Sequence, residues 1–304
     1  TVEAAFFGGS FTGIPIELQQ DYLSVAKAYK DKGLIQKIRL STRPDYIDNA
    51  ILTNLKCYDV DIIELGVQSF DEEVLRLSNR GHGPTAVFTA SRMIQDYGFT
   101  LGLQLMIGLP GDTYEKDIAS AEEAVKINPS IARLYPTIII RDTELFDMFQ
   151  RGEYAPLTLK EAVRTAKDMY RILKNAGINV IRIGLKSTDH INENGEITGG
   201  TYHPAFRQLV ESEIAREDLE KQLQEILRSG KVRDQNTGKG KNQGIIGFYS
   251  NGPSFSYMIG NRRSNKLYFE KKYPHFRFTF HADPNLTDQV YLLRIIGSGP
   301  SSAE

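Results

Sequence analysis

A single cysteine, Cys57, stands among 304 residues, so no internal disulfide framework can staple this chain. That scarcity points to a reducing, cytoplasmic setting. No apolar run reaches the ~20 residues that cross a bilayer, which predicts no membrane span. Nothing at the start reads as a signal peptide, since Thr1 leads straight into a short apolar segment. No Gly-x-Gly-x-x-Gly follows any strand-like segment, which argues against a dinucleotide-binding sheet. Self-similarity of solenoid period is also missing.

What is present suits a globular α/β chain with room for one large domain and a smaller second one. The net charge of −1 is unevenly spread. Between Arg228 and Arg277 eleven Lys or Arg face only Asp234 and Glu270, so that segment carries +9 and the remainder −10. Such asymmetry fits a polyanion-binding face or a solvated basic loop.

The first two thirds of the chain alternates strand and helix signals. Val2–Phe7, Ile35–Leu40, Asp61–Val67, Thr100–Ile107, Ile131–Ile140 and Ile178–Ile183 read as strands. Between them the pattern predicts helices over Ile16–Lys32, Thr85–Tyr97 and Tyr114–Ile127, with Gly33 and Gly98 as stops for the first two. Ser69-x-x-Glu72 and Thr158-x-x-Glu161 read as capping boxes, and Gly177 ends the helix that the second one opens. Five or six βα units of this kind favour an open or partial barrel, whose chemistry gathers at the C-terminal strand ends. After Gly200 the rhythm changes. Pro204–Arg228 reads as a long polar helix and Lys231–Asn242 as a loop. Ile245–Tyr249, Phe276–His281 and Val290–Ile296 read as strands, with a helix near Asn261–Tyr273. The expected division is a barrel over 1–200, an α+β appendage over 201–296 and a disordered tail over 297–304.

Four strand ends carry unusual residues. Gly8 and Gly9, followed by Ser10, would let a ligand approach the backbone closely, or simply make a tight turn. Ser41-Thr42-Arg43-Pro44 would aim hydroxyls and a cation at the barrel mouth, because Pro44 forces Arg43 to be extended. Gln68 can donate and accept, as a ribose diol requires. Arg80, twelve residues on, could clamp a carboxylate or merely favour a helix C-terminus. Met106-Ile107-Gly108 leads into Leu-Pro-Gly, an apolar end with free backbone groups that suits a planar base or ordinary barrel filling.

Taken in order on successive strands, these segments resemble the radical S-adenosylmethionine (SAM) superfamily. The likeness is to the group containing the catalytic subunit of Elongator and the oxygen-independent coproporphyrinogen oxidase. Phe-Phe-Gly-Gly-Ser-Phe-Thr-Gly-Ile-Pro is similar to that group's second-strand glycine motif, which holds the methionyl amino group of SAM. Gly-Val-Gln-Ser-Phe with Asn-Arg-Gly-His resembles its fourth-strand motif, which implies ribose contact for Gln68 and carboxylate contact for Arg80. Gly-Leu-Pro-Gly-Asp-Thr resembles the fifth-strand motif beside the adenine. Arg133-Leu-Tyr-Pro-Thr-Ile-Ile-Ile-Arg-Asp-Thr resembles the sixth-strand segment of Elongator-type proteins. The likeness covers residues 1–185.

The resemblance implies a partial (β/α)6 TIM-like barrel lacking its first βα unit, with the C-terminal α+β appendage beyond it. It implies SAM bound by Gly8, Gly9, Ser10, Ser41, Gln68, Arg80, Met106, Ile107 and Gly108. Arg43, Arg133 and Tyr135 are the substrate-side candidates. The implied reaction is cleavage of SAM to a 5′-deoxyadenosyl radical that modifies tRNA, met through the 228–277 basic segment. A porphyrinogen-like small molecule, or a SAM- or RNA-binding module without catalysis, are the alternatives. Three departures stand beside this. Ser41 replaces the family's usual acid, no acetyltransferase-like domain follows the barrel, and the Cys-x-x-x-Cys-x-x-Cys motif is missing. The [4Fe–4S] ligands are therefore expected upstream of Thr1, in a front end of ~30 residues. An electron donor would feed that cluster, and the chain by itself is expected to be inactive.

Overall fold

The computed structural model describes residues 1–186, 197–229 and 244–298. The chain divides into two compact units, Thr1–Pro204 and Ala205–Glu304. The first unit opens with β1 (Glu3–Phe6), α1 (Ile16–Asp31), β2 (Lys37–Thr42), α2 (Asn49–Cys57) and β3 (Ile62–Gln68). It continues through α3 (Glu72–Leu77), α4 (Pro84–Asp96), β4 (Thr100–Ile107), α5 (Tyr114–Ile127) and β5 (Ile131–Pro136). It closes with β6 (Ile138–Ile140), α6 (Glu144–Gln150), α7 (Leu159–Asn175), β7 (Asn179–Ile183) and β8 (Ile197–Gly200).

Six of these strands form one parallel sheet in the order β1-β2-β3-β4-β5-β7. Neighbours in the sheet follow chain order, so every crossover advances the same way and the twisted sheet curls into the expected partial barrel. Side-chain parity splits the sheet into two unlike faces. One carries Ile38, Leu40, Ile63, Leu65, Leu101, Leu103, Leu105, Ala132 and Leu134, all buried. The other carries Arg39, Ser41, Glu64, Gly66, Gln104, Arg133, Tyr135 and Arg182. A closed TIM barrel fills its interior with branched apolar side chains; this open one keeps a charged interior.

Local signals explain most element ends. The Thr158/Glu161 capping box is present in both directions at the start of α7. Thr113 caps α5 through the Lys116 N–H, and α5 ends at Asn128 with φ +55°. The other expected box is corrected. α3 is capped by Asp71, whose carboxylate accepts from the Val74 N–H. Ser69 Oγ instead accepts from the Asp71 N–H and bonds Ser120, so the hydroxyl is spent one turn too early to cap. The expected strand over Ile131–Ile140 breaks at Pro136-Thr137. Thr137 donates both its N–H and its Oγ to the Ile107 carbonyl. The remaining three residues form β6, which pairs antiparallel with β8. α2 and α6 are short, and periodicity did not show them.

β1 is an outer strand, and α1 beside it is apolar on two sides. The helix buries Leu23 and Ala26, yet Leu18, Tyr22, Val25 and Tyr29 at helical spacing are between 38% and 59% exposed.

The second unit comprises α8 (Phe206–Arg228), β9 (Gly244–Ser250), α9 (Gly252–Ile259), α10 (Ser264–Lys272), β10 (Phe276–Ala282) and β11 (Leu292–Ser298). Its sheet runs β10-β9-β11, with β10 parallel and β11 antiparallel to β9. Phe248 centres the core, with its ring 4.7 Å from Phe269, 5.3 Å from Phe278 and 5.4 Å from Phe280. The sequence had not indicated α9. β11 pairs through Gly297 and Ser298, two residues into the expected disordered tail; its remaining residues lie outside the described ones. The loop read over 231–242 also lies outside them. No helix among the described residues is long and apolar enough to cross a membrane.

Candidate functional site

At the C-terminal ends of its strands the polar face opens into a cleft of about 910 Å³. Nine of the twelve residues singled out in the sequence line it: Gly8, Gly9, Ser10, Ser41, Arg43, Gln68, Arg80, Arg133 and Tyr135. Phe7, Thr42, Gly66, Gln104, Arg182, Leu185 and Lys186 complete the lining.

The floor beneath this cleft is an ion-pair network that motif reading missed. Glu64, fully buried on β3, accepts from both neighbouring strands. Arg133 Nε and Nη2 reach its two oxygens at 2.5 and 3.0 Å, a bidentate clasp. Arg39 Nη1 adds a bond of 2.6 Å and Gln104 Nε2 one of 3.1 Å. Arg39 also holds Glu3 at 3.0 and 2.7 Å. All four acceptor positions of the Glu64 carboxylate are thus filled. Burial pushes its pKa up, but the bonds and charges of Arg133 and Arg39 outweigh that and hold it below the ordinary value. Gly102 faces the carboxylate from β4. A Cβ there would stand 2.8 Å from Glu64 Cγ, so glycine makes the room. The available signal was a lone acid inside the apolar run Ile62–Val67, on the same sheet face as Arg39 of β2 and Arg133 of β5.

Arg133 is therefore committed to the floor, with Nη1 3.4 Å from the Tyr135 hydroxyl and its cation 5.1 Å from the Phe7 ring centroid. Arg43 is extended as expected, at φ −84° and ψ 150°. Its fork grips Asp45 at 2.9 and 2.7 Å and lies over the Tyr46 ring.

The wall formed by β3 and the segment after α3 is different. Gln68 has φ +70° at a register shift in the β3–β4 ladder, which turns its amide into the cleft. Gly66 faces the same space; a Cβ there would meet Gln68 Nε2 at 2.8 Å and Arg80 Nη2 at 3.4 Å. Arg80 makes one long bond, 3.3 Å to the Gly66 carbonyl, and its buried Nε has no partner. Burial, then repulsion from Arg43, lowers its pKa. On the far side of the sheet, at the end of β1, an added Cβ at Gly8 or Gly9 would meet nothing within 4 Å, so open space lies against that backbone.

Met106, Ile107 and Gly108 are not among the lining residues. The backbone groups expected to be free at this strand end are engaged. The Ile107 carbonyl takes both Thr137 donors, and the Gly108 carbonyl accepts from the buried Tyr154 hydroxyl at 2.7 Å. Asp112 in the loop that follows and Asp117 at the start of α5 form a carboxyl pair. Burial, then the charge of Asp112, pushes Asp117 up to about 10.

Of the basic segment over 228–277, Lys231, Arg233, Lys239 and Lys241 lie outside the described residues. Lys272 pairs with Glu220, and Lys266 with Glu270. Arg263, Lys266 and Arg277 line a second cleft, of about 660 Å³, beside Phe255 and Phe280.

Residues 2–124 match the model of the radical SAM superfamily, and residues 129–216 match that of the radical SAM C-terminal domain. The chain is 30% identical over 182 residues to the tRNA uridine(34) acetyltransferase of Methanocaldococcus infernus, covering 53% of this chain and 34% of that protein. It is 32% identical over 185 residues to human Elongator complex protein 3, with the same two coverages, 53% and 34%. The chain thus spans about a third of the length of these relatives. Among solved structures it is similar to the archaeal Methanocaldococcus infernus Elp3 with an N-terminal deletion. That likeness has a TM-score of 0.64 at 25% identity, over 71% of this chain and 54% of that one.

Proposed function

The chain belongs to the radical SAM superfamily, and on that premise we propose that its cleft binds SAM in an enzyme that modifies tRNA. The observation that carries this reading is Arg80. A guanidinium with a buried, partnerless Nε, beside an in-turned glutamine and two open glycines, fits a ligand with one carboxylate, one diol and an amino group. In this reading Arg80 takes the methionyl carboxylate and Gln68 the ribose hydroxyls. The Gly8–Gly9 backbone takes the amino group, and Ser10 and Ser41 add hydroxyl contacts. Bound there, SAM would supply radical chemistry, its cleavage yielding methionine and a 5′-deoxyadenosyl radical once an electron reaches the sulfonium. The chain's own residues bind and orient. The Glu64 network keeps the floor rigid, Phe7 covers Arg133, and Arg43 and Tyr135 border the substrate's side.

A [4Fe–4S] cluster takes three thiolates here, with one iron left to SAM. Cys57 is exposed at the end of α2, and the residues of this chain do not fit the cluster. We place the thiolates on a further strand–helix unit. The outer edge of β1 and the exposed stripe of α1 are the surface such a unit would cover. The tRNA substrate is inferred from the name of the archaeal relative, and a cytoplasmic setting from the single cysteine. The Methanocaldococcus infernus relative is a tRNA uridine(34) acetyltransferase, and the +9 segment suits a polyanion.

Calorimetric titration with SAM tests the cofactor reading. Saturable binding that weakens at least tenfold in Arg80→Gln is expected; no binding, or equal binding by the variant, overturns it.

A further inference from the structure

The charges of the cleft do not balance, and the imbalance is local. Every charged residue lining it is a cation: Arg43, Arg80, Arg133, Arg182 and Lys186. Asp45 neutralises Arg43 and Glu64 neutralises Arg133. Arg80 is the group already given to the methionyl carboxylate. Arg182 and Lys186 remain, and neither has a hydrogen bond or ion pair among the described residues.

Arg182 is in register with Arg133 on the neighbouring strand. Paired strands lie ~4.8 Å apart, and like charges side by side in a sheet are destabilising. Arg133 escapes that cost through Glu64, but Arg182 has no counter-ion among the described residues. Lys186 lines the same cleft just beyond the end of β7, after Gly184, whose N–H is fixed to the Leu134 carbonyl at 2.8 Å. SAM does not resolve the imbalance, because its ammonium and sulfonium outweigh its one carboxylate. A second ligand that brings negative charge would supply the balance.

We propose that Arg182 and Lys186 form a phosphate subsite of the cleft, separate from the SAM contacts, which anchors the substrate at β7. The inference rests on the reading of this cleft as the reaction site. A guanidinium fork with an ammonium beside it suits a phosphate oxyanion. A polynucleotide backbone and a small phosphate ester share that chemistry; the charge of the second unit favours the polynucleotide.

The test uses the full chain and the double variant Arg182→Gln/Lys186→Gln. Three ligands are titrated: a labelled tRNA anticodon stem-loop by anisotropy over a salt series, inorganic pyrophosphate, and SAM. The subsite predicts at least tenfold weaker stem-loop binding and a salt slope shallower by about one, the value for one phosphate contact. SAM binding stays as in the unaltered chain. Loss confined to pyrophosphate supports the subsite and assigns it to a small phosphate ester. Unchanged binding of both phosphate ligands overturns it. An equal loss of SAM binding also overturns it, by making these residues part of the SAM site. Failure of the unaltered chain to bind SAM sinks the cofactor reading and leaves the phosphate arms readable. Lys186→Glu alone, at an exposed position, gives the same readout where the double change disturbs folding.

Discussion

The floor and the wall of one cleft treat buried charge in opposite ways. On the floor, Glu64 is enclosed and every acceptor position is filled by Arg133, Arg39 and Gln104. On the wall, Arg80 is half-buried, with one long bond and a buried Nε that has no partner among the described residues. Leaving a buried polar group unmade costs more than a made bond gains. A network that answers every group holds strands together; a group left unanswered holds a place for something else. The contrast separates residues that maintain the sheet from those that would meet a ligand, although both sets draw on arginine and glutamine.

The largest expected effect breaks the floor. Glu64→Gln leaves the part-buried Arg133 guanidinium without its counter-charge and Arg39 with Glu3 alone, and should lower unfolding free energy by about 3–5 kcal/mol, read by denaturant titration. If the loss is under 1 kcal/mol, the floor is not what holds the strands. The same carboxylate gives an acid-side test. Its folded pKa is depressed, so its contribution is present above about pH 4.5 and is lost as pH falls further. The variant's stability should accordingly depend less on pH in that range.

The wall predicts the reverse. Arg80→Gln should cost binding but not stability. SAM affinity should drop by about 1.5–3 kcal/mol, the worth of a charge-assisted bond, while the melting temperature holds or rises as an unanswered charge is removed. A clear loss of stability would erase the distinction between floor and wall.

Asp117 sharpens the comparison from outside the cleft. Its folded pKa, pushed up to about 10, lies far above the ordinary value of 3.8. Between those values the folded state keeps a proton that the unfolded state has released, so stability falls as pH rises through the window. Asp117→Asn should remove that slope and stabilise the chain at pH 8 by roughly 1–3 kcal/mol, each pKa unit being worth ~1.4 kcal/mol. Melting curves at pH 5 and pH 8 read it, and parallel curves for the two proteins would refute it. The smallest effect is at Tyr154. Removing its hydroxyl in Tyr154→Phe frees the Gly108 carbonyl and should cost ~1 kcal/mol of stability. SAM affinity should hold, because that carbonyl is not part of the wall; a lower affinity would bring the Gly108 turn back into the ligand site.

The barrel's strands were largely legible because buried parallel strands are short apolar runs bounded by glycine or proline, as at Thr100–Ile107. Most of the nine cleft residues were legible because strand ends of a barrel converge; Arg80 follows α3 instead and was singled out by the resemblance. What failed was context. Ser69 had the right residue type for a cap, but its hydroxyl was claimed by Ser120 and by the Asp71 N–H. Gly108 had the right type for a ligand turn, but Tyr154, forty-six residues away in sequence, took its carbonyl. α2, α6 and α9 have nine, seven and eight residues, too short for periodicity to separate from loop.

By itself, then, the amino-acid order determined which segments become strands, which ends carry polar groups, and that one cysteine cannot bind a cluster. Those properties are local, set by side-chain period, turn residues and composition. Only the tertiary structure decided which polar groups are satisfied. Arg133 and Arg80 are equivalent as letters. The sheet puts Glu64 on the same face as Arg39 and Arg133, and among the described residues it pairs no acid with Arg80 or Arg182. Electrostatic balance is a property of neighbours across strands, and those neighbours exist only once the sheet has formed.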